Sequence, residues 1–203
     1  MKRRGILQRA VNRIKKTVYI KDFRHCELSS GFGIDGAGKN CTVIGKKNIM
    51  IGGDCAFGPG TEMITLDKHF EQSLSPELTI GNHVRMTSRC RVSCAGRMFI
   101  GDDVLMAPEV FITDHNHGMD PTQKGGYSPQ PLIVKNVTIE EGVWLGQRVC
   151  VLPGVTIGAH CIIGANSVVT HDIPAYTMAV GAPARVIKRW NNEKKQWIQN
   201  LHV

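Results

Sequence analysis

The sequence predicts a mainly β protein, a parallel β-helix whose coils each have three sides, with a short helix at either end. Aliphatic residues recur every six positions, a period that matches neither an α-helix nor a simple two-faced strand. Aromatic residues make up only 6% of the 203 residues, whereas glycine occurs 22 times. This composition favours a thin core of branched aliphatic side chains over one built from large rings.

The repeat is clearest in the second half of the chain. Every sixth residue there is aliphatic, namely Ile139, Leu145, Val151, Ile157, Ile163 and Val169. The same spacing recurs as Ile80, Met86 and Val92, as Ile100, Met106 and Ile112, and more weakly as Ile51 and Phe57, preceded by Ile44. A chain that makes one flat side and one corner every six residues closes into a triangular coil of about 18 residues, with the aliphatic residue pointing inward.

Two polar stretches interrupt the repeat, at residues 65–79 and 113–138. The second contains three prolines and the pair Gly125–Gly126, which indicates a loop. A β-helix can expel such a loop from a corner without disturbing its core, and long loops in compact domains usually carry function. A sandwich of short strands is the alternative fold, but its strands do not hold a fixed spacing of six.

The two ends of the chain differ from the repeat. Residues 1–24 hold nine Lys and Arg residues and one acid, and so carry the whole net charge of +8. Their apolar residues fall on one helical face, opposite the basic ones. Near the other end, Trp190 and Trp197 share a face of a predicted charged helix. We therefore divide the chain into a basic amphipathic arm, 1–24, a β-helix domain, 25–186, and a C-terminal helix, 187–203.

The charge distribution and the cysteine content limit the possible binding partners and the cellular location of the protein. Outside the arm acidic and basic residues balance, which argues against nucleic-acid binding. The seven scattered cysteines include no CxxC pair, as expected for reduced thiols in the cytoplasm. The basic arm suits an anionic membrane surface, so our hypothesis is a cytoplasmic protein held peripherally at the inner membrane face. If a chain without residues 1–18 binds anionic vesicles as well as the full chain does, this hypothesis is wrong.

Three segments of the chain resemble a known family. They are IGDDVLMAPEVFITDHNHGMDP at 100–121, VTIEEGVWLGQRVCVLPGVTIGAHCIIGANSVVTHDIP at 137–174, and VGAPARVIKRW at 180–190. In this order they are similar to the hexapeptide-repeat acyltransferases, and among these to the maltose and galactoside O-acetyltransferases and the xenobiotic acetyltransferases. The resemblance implies a left-handed parallel β-helix, usually a homotrimer, with each active site between two subunits and coenzyme A in the groove.

The implied reaction moves an acetyl group from acetyl-CoA to a hydroxyl group, which needs a base for the hydroxyl proton. Histidine is the usual base near neutral pH, and the 113–138 loop contains His115 and His117. The resemblance favours His117, which falls nine residues after Pro108 and is followed by x-x-Asp, here Asp120. We expect His115 to orient the site or to contact the substrate. Because no residue pattern indicates a covalent nucleophile, we expect direct attack in a ternary complex.

By position, the resemblance also implies the contacts to coenzyme A, and it implies no metal. Small residues permit close approach of the pantetheine arm, and Arg and Lys suit its nucleotide phosphates. His171 stands where the family often has Lys, so this chain departs from the pattern there. The implied residues are Trp144, Gly146, Ala165 and Thr170 along the arm, and Arg185 and Lys188 at the phosphates.

Three alternative functions share parts of this pattern. Acetyl transfer to the amine of an amino sugar is the same chemistry, and the sequence does not separate it from O-transfer. A zinc enzyme similar to the γ-type carbonic anhydrases would use the same fold, but their His-x4-His spacing is absent. A non-catalytic solenoid would have no use for the DHNH sequence. We therefore predict an acetyltransferase that acts on a hydroxyl of a sugar or polysaccharide precursor.

Overall fold

The described chain is a three-sided parallel β-helix. A computed structural model describes residues 41–199; the predicted arm, 1–24, and the start of the predicted β-helix domain, 25–40, lie outside the described residues. A single 3-10 turn, Lys46–Asn48, is the one helical element among residues 41–199. Within this range no helix has the length and apolarity needed to cross a membrane.

The three sides of the coil are three sheets. Sheet A contains β1 (Thr42–Ile44), β4 (Glu62–Thr65), β9 (Arg91–Cys94), β12 (Phe111–Thr113), β17 (Cys150–Val151) and β20 (Val168–Val169). Sheet B contains β2 (Ile49–Ile51), β7 (Glu77–Ile80), β10 (Arg97–Ile100), β15 (Val137–Ile139) and β18 (Thr156–Ile157). Sheet C contains β3 (Ala56–Phe57), β8 (Arg85–Met86), β11 (Leu105–Met106), β16 (Trp144–Leu145), β19 (Ile162–Ile163), β21 (Thr177–Gly181), β22 (Ala184–Asn191) and β23 (Gln196–Gln199).

Each side contributes one inward residue per coil, and parallel pairing stacks these residues in three columns. The column of sheet A is Val43, Met63, Val92, Ile112, Val151 and Val169. The column of sheet B is Ile51, Ile80, Ile100, Ile139, Ile157 and Ile173. The column of sheet C is Phe57, Met86, Met106, Leu145, Ile163 and Ala179. All except Val43 are buried, which confirms the predicted parallel β-helix.

The first coil corrects one detail of the predicted register. Ile44, expected to point inward, is 51% exposed, and its neighbour Val43 takes the inward position opposite Met63. The reason is the 3-10 turn Lys46–Asn48, which lengthens this corner before Ile51. A count of six residues back from later coils therefore does not give the inward residue here.

The predicted C-terminal helix, 187–203, is wrong over the part that the structure describes. Residues 184–199 form the antiparallel strands β22 and β23, which extend sheet C beyond β21. Trp190 pairs directly with Trp197, and their rings meet edge to face at a centroid distance of 5.4 Å. Two residues seven apart in sequence lie on the same face of a helix, but they also lie opposite each other in a hairpin when a tight turn falls between them. Here the cross-strand ring contact and the pairing with β21 favour the hairpin.

The chain leaves the coil at the corner between sheets A and B. Besides the 3-10 turn of the first coil, this corner carries insertions in the second, third and fourth coils, at residues 66–76, 95–96 and 114–136. The first insertion forms a hairpin of β5 (Lys68–His69) and β6 (Gln72–Ser73), and the last a hairpin of β13 (His115–His117) and β14 (Leu132–Val134). Because successive coils stack, the three insertions are neighbours in space although they are far apart in sequence.

The inward register predicts a sharp contrast between two substitutions of the same kind. Ile139→Ala should lower the free energy of unfolding by about 2–5 kcal/mol, because Ile139 is fully buried in the middle of its column. Ile44→Ala should change it by about 0.5 kcal/mol or less, since Ile44 is exposed. Urea unfolding followed by circular dichroism measures both values. Equal losses would contradict the register described above.

Candidate active site

The predicted histidines lie on strand β13, which pairs with β14 in an antiparallel hairpin. His115 is opposite Val134, and His117 is opposite Leu132. Residues two apart in a strand project to the same side, so both imidazoles lie on one face of the hairpin. They differ in exposure, since the His115 side chain is 13% exposed whereas His117 is open to solvent.

A buried carboxylate, Asp114, holds His115. The Asp114 side chain has no exposed surface, and it accepts hydrogen bonds of 2.8 Å from the backbone N–H groups of Ala95 and Gly96. It also accepts one of 2.8 Å from Nδ1 of His115. An ionised carboxylate only accepts, so the bonded Nδ1 carries the proton and Nε2 is left as the acceptor. Asp114 therefore fixes both the orientation and the tautomer of His115.

A second hairpin packs against His117. The rings of His69, on β5, and His117 meet edge to face at a centroid distance of 5.1 Å. Nε2 of His69 lies 3.0 Å from the carbonyl oxygen of Ser128 and 3.1 Å from that of Gln130. Both partners are acceptors, so Nε2 is the donor. The ring nitrogens of His117 make no hydrogen bond within residues 41–199 and are free to meet a substrate.

Two glutamines hold the 114–136 insertion in place. Gln72 receives a 2.6 Å bond from the backbone N–H of Leu132 and donates one of 3.1 Å to its carbonyl oxygen. Gln130, only 2% exposed, donates to the carbonyls of Asp120 and Gly126 and accepts from the Asp120 N–H. These hydrogen bonds fix the conformation of the insertion, because they satisfy the backbone donors and acceptors of the residues beside His117.

Gly118 makes this close packing possible. A Cβ atom there would lie 2.7 Å from Oε1 of Gln130, which is closer than real Cβ contacts allow. A side chain at position 118 would therefore push Gln130 out of its buried network, next to the predicted base.

The residues predicted to bind coenzyme A lie mainly on the outer face of sheet C. In the paired register Trp144 is followed by Ile162, Met178 and Lys188 on successive strands. These strands are about 4.8 Å apart, so the row runs for roughly 14 Å. Trp144 is 47% exposed, which leaves its ring open along this face. The row thus has an aromatic ring at one end and a cation at the other.

The remaining predicted contacts fall at different distances from this row. Arg185 is exposed and pairs with Val180 on the same outer face. A Cβ at Gly146 would lie 2.7 Å from the backbone nitrogen of Ala165, so these residues do mark a close approach of two backbones. Thr170 lies elsewhere, beyond the last strand of sheet A, where its Oγ1 is 2.7 Å from Nδ1 of His171.

The histidines and the coenzyme A row occupy different parts of one chain. His115 and His117 project from the corner between sheets A and B, whereas Trp144 and Lys188 lie on sheet C, the side opposite that corner. The described chain therefore does not bring the two sets together within a single β-helix. A complete site built from both sets needs a second chain.

Four candidate functional residues were not predicted from the sequence. His69, Gln72 and Gln130 act through contacts between distant insertions, and no local pattern reveals such contacts. Asp114 could have been predicted from the sequence, because a carboxylate that directly precedes a candidate active-site histidine, here His115, is a possible hydrogen-bond partner for its ring. Within residues 41–199 no group of three or more His, Cys, Asp or Glu side chains is placed to hold a metal ion.

Comparisons with known proteins identify a family model, relatives and solved structures that are similar to this chain. A family model described as bacterial transferase hexapeptide (six repeats) matches residues 136–171. WbbJ of Escherichia coli (strain K12), a protein named for O-acetyl transfer in lipopolysaccharide biosynthesis, is 40% identical over 122 residues, which are 57% of this chain and 62% of that protein. A galactoside O-acetyltransferase of the same organism is 41% identical over 100 residues, 48% of this chain and 47% of that protein. The chain thus spans less than two thirds of the length of either relative.

Solved structures show the same fold. A hexapeptide-repeat acetyltransferase of Vibrio cholerae, in complex with acetyl coenzyme A, has a TM-score of 0.51 and 26% identity, with 75% of this chain and 69% of that chain covered. AntD, an N-acyltransferase of Bacillus cereus solved with coenzyme A and an amino-sugar nucleotide, has a TM-score of 0.60 and 20% identity, with 77% and 81% covered.

The contact between Asp114 and His115 predicts a defined tautomer. Long-range ¹⁵N NMR should show His115 protonated at Nδ1 in the wild type. In Asp114→Asn this preference should be lost, and the free energy of unfolding should fall by about 1–3 kcal/mol, because the amide offers one acceptor oxygen where the carboxylate offers two to the N–H groups of Ala95, Gly96 and His115. Asp102→Asn is the matched control, since Asp102 accepts from Asn82 and contacts no histidine. An unchanged His115 tautomer in Asp114→Asn would contradict the assignment.

Proposed function

We propose that the chain is one of the bacterial hexapeptide-repeat transferases, with a left-handed parallel β-helix. In this proposal it moves an acetyl group from acetyl-CoA to a hydroxyl of a sugar or polysaccharide precursor. Relatives named as O-acetyltransferases support the hydroxyl acceptor. The structure from Vibrio cholerae that contains acetyl coenzyme A supports the donor.

One observation carries the proposal, the way in which His117 is presented. Its imidazole stands on a hairpin that two glutamines and His69 hold against the β-helix, yet its ring nitrogens are free. A general base needs this combination of a fixed position and an unoccupied acceptor nitrogen. A solenoid that only binds a partner protein would not need an imidazole with a fixed position and unoccupied ring nitrogens.

In the proposed mechanism His117 takes the proton of the acceptor hydroxyl as its oxygen attacks the thioester carbonyl. A C–O bond forms, and the tetrahedral intermediate collapses with cleavage of the C–S bond. The imidazolium then returns its proton to the departing thiolate, so that the products are an acetyl ester and coenzyme A. His115, fixed by Asp114, lies on the same face and orients the site.

The buried thiols support direct attack over an acyl-enzyme intermediate. Burial raises the pKa of the Cys90 thiol to about 11. Burial and then the charge of Asp114 raise the pKa of Cys94, the described thiol beside the histidine hairpin. A raised pKa disfavours the thiolate, which is the nucleophilic form. Neither thiol is therefore suited to take the acetyl group before the sugar does.

The separation of the two residue sets supports an oligomer, and we propose a homotrimer. In it the outer face of sheet C from one chain, with Trp144 and Lys188, would face the histidine hairpin of the next chain. Coenzyme A would lie along the Trp144 row, with its phosphates near Arg185 and Lys188 and its thioester toward His117.

The proposal predicts acetyl-CoA turnover that depends on His117. Free-thiol release should be measured with glucose, maltose and glucosamine as acceptors, so that hydroxyl and amine acceptors are compared directly. His117→Ala should lower kcat by about 10²–10⁴-fold, because it removes the base. His83→Ala is the matched control, since His83 is an exposed histidine paired with Asp54 and Asp103 at a coil corner away from the insertions.

The outcomes separate the candidate functions. Turnover with maltose or glucose that only His117→Ala abolishes supports O-transfer and the assigned base. A loss confined to His115→Ala would move the base to His115. Turnover with glucosamine alone would replace O-transfer by N-transfer, and failure of acetyl-CoA to bind would overturn the acetyltransferase proposal.

A further inference from the structure

Phe70 is placed unusually for a large apolar residue. It lies at the tip of the β5–β6 hairpin, where its side chain is 57% exposed and its backbone has a φ of 48°. Exposure of a phenyl ring to water is unfavourable, and a left-handed backbone is unfavourable for a bulky residue. Glycine or asparagine would relieve both costs at a two-residue hairpin turn.

The β-helix itself does not require this conformation. Other residues with positive φ, such as Asp103, His160 and Tyr176, lie at coil corners, where stacked backbones bond to one another. Phe70 lies outside the coils, in the 66–76 insertion. The two-residue turn accounts for the positive φ, but it does not account for an exposed phenylalanine at this position, which points to a role at a site.

The hairpin holds Phe70 next to the candidate base. His69 is fixed by its bonds to the carbonyls of Ser128 and Gln130, and Gln72 by its two bonds to Leu132. The ring of His69 contacts the rings of Phe70 and His117, at centroid distances of 4.9 Å and 5.1 Å. His69 thus links Phe70 to the candidate base through two ring contacts.

We infer that Phe70 binds the acceptor, by stacking against the C–H face of its pyranose ring. This inference rests on the proposed function and adds a residue that determines its specificity. A pyranose has an apolar face and a polar rim of hydroxyl groups. The apolar face packs on an aromatic ring through dispersion and loss of hydrated surface.

The groups around Phe70 fit such an amphipathic ligand. Lys68 and Glu71 lie on the same hairpin as Phe70 and are strongly exposed, and Nζ of Lys68 is 3.6 Å from Oε2 of Glu71. Their charged ends can bond to hydroxyl groups at the rim of a sugar whose face lies on Phe70. A purely apolar partner would have to strip water from both charges without replacing it, which is unfavourable.

The test is steady-state kinetics with maltose and acetyl-CoA, varied separately. Phe70→Ala should raise the KM for maltose on the order of tenfold, the size expected for loss of one apolar contact, and leave the KM for acetyl-CoA unchanged. Phe70→Trp should retain the low KM for maltose. Phe70→Gly should raise the KM for maltose as Phe70→Ala does. Because glycine suits the left-handed backbone, Phe70→Gly should also be more stable than the wild type. A raised KM in this stable variant would show lost binding and not misfolding.

Tyr176→Ala is the matched control, because Tyr176 is also aromatic, 50% exposed and left-handed, at a coil corner. It should leave both KM values unchanged. A KM for maltose that is unchanged in Phe70→Ala and Phe70→Gly, with wild-type turnover present, would overturn the role of Phe70 and leave the proposed function standing. Failure of the wild type to bind acetyl-CoA would overturn the proposed function, and this inference with it.

Discussion

The structure depends on one constraint, an inward apolar side chain at each side of every coil. Parallel pairing stacks these residues in three columns, and the columns form a continuous core of aliphatic residues that contains one large aromatic ring, that of Phe57. Because each coil is held by its neighbours, a corner can be lengthened without opening the core. The insertions at residues 66–76 and 114–136 exploit this freedom, and they carry the polar and aromatic groups that a core would not accept.

Stacking also explains how the candidate site is assembled. Insertions from successive coils leave at one corner, so a hairpin from the second coil reaches a hairpin from the fourth. His69 and Gln72 make that contact, and it gives the His117 loop a fixed shape despite its prolines and glycines. The same geometry puts the Trp144 row on the opposite side. The proposed division of the site between two chains rests on this separation.

Much of the fold was predictable, because the inward position repeats in sequence at the spacing that it has in space. The prediction was wrong where local information is ambiguous. The spacing of Trp190 and Trp197 fits a helix as well as a hairpin, and the 3-10 turn before Ile51 shifts the first coil. The histidines could be found from the DHNH sequence, but Phe70 could not. Its position depends on bonds between residues about 60 apart in the chain.

The most direct test of this account asks whether two chains share one site. His117→Ala and Trp144→Glu chains, each inactive alone, would be co-expressed with different tags, purified as mixed assemblies and assayed for thiol release from acetyl-CoA with maltose. The account predicts recovery of about a quarter of wild-type activity for random mixing in a closed ring, because one interface type unites an intact His117 with an intact Trp144. Mixed assemblies as inactive as their parents would contradict it.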